Sequence, residues 1–245
     1  MKNGAKEKIQ MNFKNCKYIE IGGNMKQTIS SNEEELKSKK MIEIIAMVTE
    51  YRNAETLNHG KRVGEFTKIL AEYVNEYYAE VNFTPQEIEC ISSCAMVHDI
   101  GKIAMPDRIL LKEGHLTKAE EALFRTHTLR GAEMVSMLAL LQSDMYARHC
   151  YDICHSHHER YDGTGYPEGL KGEEIPIAAQ IVGLADVYDT LVGERVYKNA
   201  FSKERAFYSI LDGECGIFSP RLLECFRKAR KRLEEAADEV QVVLI

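Results

Sequence analysis

The sequence predicts an all-α fold, and three observations support this expectation. First, apolar residues recur at intervals of three and four along most of the chain, which is the period of a helix. Second, helix-start signals such as Thr84-Pro85 and Thr117 with Glu120 stand directly before such stretches. Third, no long stretch alternates apolar with polar residues, as a half-buried strand would.

Four helices are predicted in the N-terminal half of the chain. One begins at Ser31, and a second, strongly amphipathic helix occupies about 54–78. Thr84 caps a third helix, which leads directly to a histidine-aspartate doublet. The fourth spans 117–139 and contains His127. These helices alone provide several apolar faces that must pack against each other or against later segments.

Four more helices are predicted in the C-terminal half, at about 142–155, 177–193, 203–212 and 219–236. The last two of them have an apolar face and a polar face. The helix at 177–193 is apolar around its whole circumference, so we expect it to lie buried at the centre of the fold.

One domain at 34–236 is predicted to contain almost all of these helices. Residues 1–33 are rich in lysine and asparagine, and we expect a poorly structured extension or the remnant of an upstream module. Residues 237–245 are predicted to be a C-terminal tail.

Composition and charge exclude some classes of function. A formal net charge of -6 argues against a surface that coats nucleic acid, so no DNA partner is expected. No stretch approaches the ~18 apolar residues of a membrane span, and the N-terminus lacks the apolar core of a signal peptide. We therefore expect a cytoplasmic protein. Its seven cysteines form no CxxC pattern and are expected to be small, reduced, apolar residues.

Two motifs carry most of the chemical information in the chain. The first is His98-Asp99-Ile100-Gly101-Lys102, and the second runs from His157-His158-Glu159 through a glycine turn to Gly165-Tyr166-Pro167. Neutral imidazoles and carboxylates are the usual protein ligands of zinc, manganese and iron. Two such clusters in one small chain indicate a hydrolytic site with more than one metal ion.

Further ligand candidates are less specific when taken singly. Glu55 and His59 are spaced i,i+4, which also describes an ordinary surface pair. Asp186 lies in the apolar helix, where a carboxylate needs a metal, an arginine or a helix cap as partner. All the candidates together number five imidazoles and three carboxylates, enough for two or three ions: Glu55, His59, His98, Asp99, His127, His157, His158 and Asp186.

This ordered set of motifs resembles the HD-GYP branch of the HD phosphohydrolase superfamily, whose members hydrolyse cyclic di-GMP. The resemblance covers about 40–228. One departure is Phe218-Ser219-Pro220, where the family often has Phe-Asp-Pro; serine still caps a helix well. Besides the motifs above, the resemblance includes Pro106-Asp107, Gly131, Ala185-Asp186-Val187-Tyr188-Asp189 and Arg195 with Lys198.

The resemblance implies an HD-domain helical bundle with a metal site in its core. Iron or manganese is favoured, with zinc as an alternative. One ion would be held by His59, His98, Asp99 and Asp186. A second would be completed by His127, His157 and His158, with Asp99 as the bridging carboxylate, and Glu55 would make a third ion possible.

The resemblance also implies roles for residues around the metals. Lys102, together with Asp99, is assigned to catalysis, with Lys102 supplying positive charge and a proton. Arg195 and Lys198 resemble the pair that contacts phosphate and guanine. Gly165 and Tyr166 are expected to shape the substrate pocket. Asp162 and Asp189 are expected to orient loops or ligands through hydrogen bonds rather than to bind metal.

The leading hypothesis is a metal-dependent phosphodiesterase that hydrolyses cyclic di-GMP to linear pGpG, with further cleavage to GMP left open. Another cyclic dinucleotide or nucleotide is an alternative substrate, and a catalytically silent receptor is an alternative of a different class. The completeness of the motif set favours the enzyme. The loop Gly163–Pro167 is also a predicted contact for a homodimer or a regulatory protein.

Overall fold

The computed structural model describes residues 31–52, 58–139, 143–193 and 200–241. These ranges contain ten α-helices and no strand, which confirms the predicted all-α class. The helices are α1 (Ser31–Arg52), α2 (His59–Tyr77), α3 (Pro85–Ala95), α4 (Asp107–Leu110), α5 (Lys118–Arg125), α6 (His127–Ala139), α7 (Asp144–Ser156), α8 (Ile177–Val192), α9 (Lys203–Leu211) and α10 (Pro220–Gln241). Two 3₁₀ turns lie at Ile100–Ala104 and Gly172–Glu174.

Helix α2 lies at the centre of the bundle, where it packs against α3, α8 and α10. Phe66 on α2 meets Tyr188 on α8 edge to face, with ring centroids 5.1 Å apart, and Tyr188 meets Phe226 on α10 in the same way at 5.6 Å. Such aromatic pairs stabilise a core beyond the area that they bury. Most of α8 is buried, as its apolar circumference predicts.

A second layer is formed by α6 and α7, which pack on each other, while α6 also packs on the 3₁₀ turn Ile100–Ala104. Gly101 in that turn permits the contact. A Cβ atom at this position would lie 1.8 Å from the carbonyl oxygen of His127 and 2.5 Å from the amide nitrogen of Gly131. Glycine is therefore required here because two backbones meet with no space for a methyl group.

The structure corrects three predicted helix boundaries. Helix α2 begins at His59 rather than near residue 54, preceded by Asn58 in a left-handed conformation (φ 72°), while 53–57 lie outside the described residues. The predicted helix 117–139 is two helices that break at Thr126. Its N-terminal capping box is present, since the Thr117 hydroxyl accepts from the amide of Glu120 and the Glu120 carboxylate accepts from the amide of Thr117.

The third correction concerns the C-terminus. Helix α10 ends at Gln241 rather than near 236, so the predicted tail 237–245 begins inside this helix. Ala236 and Ala237 are buried, and Lys203 on α9 pairs with Asp238, so the extra turn is held by packing and by a charge. Of the predicted extension at 1–33, only the last three residues, which open α1, lie within the described ranges.

Within the described ranges, none of the helices combines the length and apolar character that crossing a bilayer requires. The six cysteines in these ranges are free thiols, and five of them are buried. They fill the core as small apolar side chains do.

Candidate metal centre

Seven of the eight predicted metal ligands converge in two groups in the core of the bundle. Asp99, His127, His157 and His158 place ligand atoms within 4.8 Å of one another, and His59, His98 and Asp186 do the same. The eighth candidate, Glu55, lies outside the described residues.

Secondary structure explains how residues far apart in sequence reach one place. His59 is the first residue of α2, and His127 is the first residue of α6. His98 and Asp99 follow the end of α3 in a tight turn, while His157 follows the end of α7. The ligands therefore lie at helix ends, and only Asp186 comes from the middle of a helix, the buried α8.

Three of the imidazoles are oriented by backbone carbonyls of the preceding turn. Nδ1 of His98 donates to the carbonyl of Ala95, and Nδ1 of His157 donates to that of Ile153, both over 2.8 Å. His127 donates in the same way to Phe124. Because a carbonyl can only accept, Nδ1 carries a proton in each ring, and Nε2 is the nitrogen that faces the centre of the site and is available to an ion.

The Nε2 atoms of these rings fit metal ligation because no hydrogen bond satisfies them. Buried side-chain atoms without a hydrogen-bond partner are rare in folded proteins and call for an explanation. Within the described ranges there are six, and four belong to this site: Nε2 of His98, His127 and His157, and Oδ1 of Asp99.

The spacing of the ligand atoms also fits shared ions. Atoms bound at about 2.0–2.2 Å to one ion lie roughly 2.8–3.6 Å apart at octahedral or tetrahedral angles. Oδ1 of Asp99 lies 3.1 Å from Nε2 of His127 and 3.7 Å from Nε2 of His157. In the other group, Oδ1 of Asp186 lies 3.5 Å from Nε2 of His59 and 3.7 Å from Nε2 of His98.

Asp99 connects the two groups. Its Oδ1 faces His127 and His157, while its Oδ2 lies 3.2 Å from Nε2 of His98. Oδ2 also lies 2.6 Å from Nζ of Lys102, which is buried rather than solvated. Each oxygen of this carboxylate thus faces a different group, which is the arrangement of a bridging ligand.

The electrostatics of the site favour bound cations. Burial would raise the pKa of Asp99, but Lys102 and His98 hold it well below its usual range, so the carboxylate is ionised. Burial lowers the pKa of His157 and of His158, so both imidazoles are neutral. Burial would also lower the pKa of His98, but Asp99 and Asp186 raise it to about 9. The carboxylates of the site therefore stabilise positive charge, which a bound metal ion can supply in place of the proton on His98.

Asp189 supports the first group without joining it, as the sequence predicts. It accepts from Nδ1 of His59 at 2.7 Å and from Nε of Arg62 at 2.5 Å, and its side chain is only 1% exposed. Arg62 was not predicted, although its i+3 spacing from His59 on the same helix indicates a shared face.

The loop that follows His158 closes the second group. The ring of Tyr166 stacks on His158 with centroids 4.7 Å apart and planes inclined by 29°. Burial, with the charge of Asp99, raises the pKa of Tyr166, so its hydroxyl remains protonated. Gly163 has the positive φ expected of this turn, whereas Gly165 is needed because a Cβ there would lie 2.3 Å from the amide nitrogen of Arg160.

Glu159 fixes the backbone of this loop through hydrogen bonds. It was not predicted as a site residue. Its buried carboxylate accepts three backbone hydrogen bonds, from Glu168 at 2.7 Å, Gly169 at 3.1 Å and Leu170 at 3.1 Å. Its position directly after the two histidines is the signal that could have identified it. Asp162 also orients the loop, through the amide and hydroxyl of Thr164. Arg195 and Lys198 lie outside the described residues.

Comparison with known proteins identifies the family. The model of the HD domain family matches residues 31–215. This chain belongs to the HD domain family. The predicted resemblance is thus confirmed at the level of the HD domain. A solved HDG"Y"P protein from Bdellovibrio bacteriovorus has a similar fold, with a TM-score of 0.53. That structure is 17% identical, and the match covers 82% of this chain and 63% of the other.

Curated relatives of this HD domain protein carry phosphodiesterase names. A cyclic di-GMP phosphodiesterase of Thermotoga maritima is 39% identical over 196 residues, covering 80% of this chain and 50% of the relative. A 3'3'-cGAMP-specific phosphodiesterase of Vibrio cholerae serotype O1 is 33% identical over 189 residues, covering 76% and 34%. The chain thus spans half or less of the length of these two relatives.

Proposed function

We propose that this HD domain protein is a metal-dependent phosphodiesterase that hydrolyses cyclic di-GMP to linear pGpG and then to GMP. One observation carries the proposal: two groups of candidate ligand atoms lie side by side, with Asp99 of one group facing His98 of the other, and Nε2 of His98, His127 and His157 is unsatisfied. The names of the curated relatives support the reaction and the substrate class.

The proposed ligands are those that the sequence predicts. His59, His98, Asp99 and Asp186 would hold one ion, and His127, His157 and His158, with Asp99, a second. Glu55 would add a third ion. The imidazole and carboxylate donor set suits iron or manganese, which we favour, and also zinc.

Metal ions supply two effects when bound: they activate a water as nucleophile near neutral pH and neutralise phosphoryl oxygens. The protein must supply the rest. Lys102 is held by Asp99 at the edge of the metal groups, where its ammonium stabilises charge that develops on the phosphate. The same ammonium is the proposed donor of a proton to the leaving sugar oxygen.

Substrate contacts are proposed for residues around the metal groups. Tyr166, stacked on His158, presents a protonated hydroxyl, and Gly165 lets the loop turn closely enough to bring that ring into place. Arg195 and Lys198 are proposed to hold phosphate and guanine, because an arginine fork matches both in geometry.

A second cyclic dinucleotide is the main competing substrate. The relative named for 3'3'-cGAMP is 33% identical, close to the 39% of the relative named for cyclic di-GMP. Base contacts decide between such substrates. A silent receptor is disfavoured because every described ligand candidate is in place.

Hydrolysis of cyclic di-GMP by protein purified without oxygen, with Fe(II) or Mn(II) added, tests the proposal. We expect linear dinucleotide and GMP on chromatography, and no product after a chelator. Cleavage of 3'3'-cGAMP alone would identify that dinucleotide as the substrate, while binding without cleavage would indicate a receptor.

The domain limits 34–236, the cytoplasmic location and a homodimer or protein partner at the Gly163–Pro167 loop stay predictions.

A further inference from the structure

Arg125, the last residue of α5, forms an outer layer over the second metal group. Its guanidinium lies over the ring of Tyr166, 4.8 Å from the ring centroid. Tyr166 in turn stacks on the candidate ligand His158. Arg125, Tyr166 and His158 therefore form a stack that begins at the metal group and ends at the surface.

Among the residues that the structure describes, the other cations near Tyr166 are Lys102 and Arg160, and both are already engaged inside the protein. Lys102 is paired with Asp99 and buried. Arg160 is largely buried, and it donates to the carbonyls of His157 and Glu159. Neither can move outward to the rim of the site without leaving a buried partner unsatisfied, although Lys102 can still act at the metal groups.

Arg125 is different, because its side chain is 48% exposed. One NH2 group donates to the carboxylate of Glu121 over 2.6 Å, and Glu121 is itself 50% exposed. Exposed ion pairs of this i,i+4 kind contribute little to stability, so an anion that binds better can replace Glu121 at small cost. Stacking on Tyr166 fixes the plane of the guanidinium in advance, which reduces the entropy lost on binding.

We propose that Arg125 contacts the phosphodiester of the substrate that is not being cleaved. The inference rests on the proposed function, because it requires a substrate with two phosphates. The two phosphates of a cyclic dinucleotide lie at opposite sides of its ring. When one is held at the metal groups, the other points toward the rim, where Arg125 presents a planar fork that matches a phosphate in a bidentate way.

The test compares Arg125→Gln with Arg130→Gln on two substrates. Arg130 is a matched control, since it is an exposed arginine of the next helix, paired with Glu133 at 3.3 Å. The first substrate is cyclic di-GMP, and the second is bis(p-nitrophenyl) phosphate, a diester with one phosphate. We expect Arg125→Gln to raise KM for cyclic di-GMP about ten- to hundred-fold and to leave turnover of the simple diester unchanged.

Two further variants sharpen the result. Arg125→Lys keeps the charge but loses the fork, so its KM should fall between those of wild type and Arg125→Gln. Glu121→Gln removes the competing carboxylate, so its KM should equal that of wild type or be lower. Metal content should be the same in all of these variants.

The outcomes separate this inference from the proposed function. If wild type cleaves cyclic di-GMP and Arg125→Gln has the KM of Arg130→Gln, the contact does not exist and the function stands. If Arg125→Gln slows both substrates equally, Arg125 acts by positioning His127 or Tyr166, and the inference is wrong. If wild type cleaves only the simple diester and no cyclic dinucleotide, the proposed substrate is wrong, and this inference, which depends on it, is wrong as well.

Discussion

Asp189 on α8 accepts a hydrogen bond from Nδ1 of His59 at the start of α2, over 2.7 Å. The carboxylate is ionised: burial would raise its pKa, but His59 and Arg62 hold it below its usual range. Asp189 therefore fixes the proton of His59 on Nδ1, and the lone pair of Nε2 is directed toward Asp186.

Asp189→Asn should consequently weaken metal binding although Asp189 is not among the proposed ligands. Loss of a carboxylate that orients a ligating imidazole costs about 10–100-fold in metal affinity or activity. Metal titration of the variant measures the effect. Asp238→Asn, which alters the exposed partner of Lys203, is the control and should bind metal like wild type. Equal affinity in both variants would contradict the role of Asp189.

Asp99 and Asp186 should differ in how much metal they retain. Asp99 faces both groups, so Asp99→Ala should lose both ions and all activity. His98→Ala should also be inactive. Asp186→Ala alters one group only and should keep the ion at His127, His157 and His158. Metal content per chain after desalting distinguishes the two variants. An equal content in Asp99→Ala and wild type would show that Asp99 does not bridge the groups.

Lys102→Ala should separate metal binding from catalysis. The ammonium is paired with Asp99 but is no metal ligand, so the ions should remain. Turnover should fall about 10²–10³-fold, the usual loss when one group that stabilises transition-state charge is removed. Steady-state kinetics and metal analysis on one preparation measure both effects. Lys112→Ala, at a partly exposed pair with Glu120 away from the metal groups, should change neither. Metal loss in Lys102→Ala would make its role structural.

Metal uptake should depend on pH through His98. The pKa of His98 in the metal-free fold is about 9, so this imidazole must release a proton before it can bind an ion. Affinity should therefore rise with pH until about 9. Calorimetric titration in buffers with different ionisation enthalpies counts the protons released. Affinity that is constant between about pH 6 and 9 would contradict the assignment of His98.

The same shift predicts the sign of a stability change. The pKa of His98 is raised above its ordinary 6.5, so its protonation stabilises the metal-free fold at pH values below about 6.5. That contribution is lost as the pH rises through about 9. Thermal unfolding of metal-free protein should show this decrease, and bound metal should remove it because the ion replaces the proton.

Glu159→Gln should loosen the Tyr166 loop. The charged carboxylate accepts from three backbone amides, and hydrogen bonds to a charged group contribute about 1.5–3 kcal/mol each. Amide exchange at 168–170 should accelerate in the variant, and KM should rise as Tyr166 leaves His158. Glu174→Gln, at an exposed turn, is the control. Unchanged exchange at 168–170 would mean that the loop holds itself without Glu159.

Sequence reasoning predicted the helices and the site unequally well. Residues that carry a motif, such as His98 with Asp99 and His157 with His158, are adjacent in sequence, so their place in one site could be predicted. The break at Thr126 could not, because both halves favour a helix. Directly after the break, the carbonyl of His127 lies against the backbone of Gly101, a contact made only in the folded chain.

Residues that act through long-range contacts were the hardest to predict. Arg62 meets Asp189 across a separation of 127 residues, and its spacing from His59 indicates a shared helix face but not this partner. Arg125 has the pattern of an ordinary surface residue, with a salt bridge to Glu121. Its position over Tyr166 depends on the fold of two separate segments.

The contact between Gly101 and the carbonyl of His127 has a consequence for the choice of metal. Because backbone meets backbone there, the segments that carry Asp99 and His127 cannot move closer together, and packing on α6 resists their separation. The space between these two segments is therefore set by backbone packing. An ion with bonds of about 2.0–2.2 Å fits such a space. Calcium, which needs six to eight oxygens at about 2.3–2.6 Å, should be excluded by size as well as by the imidazole ligands.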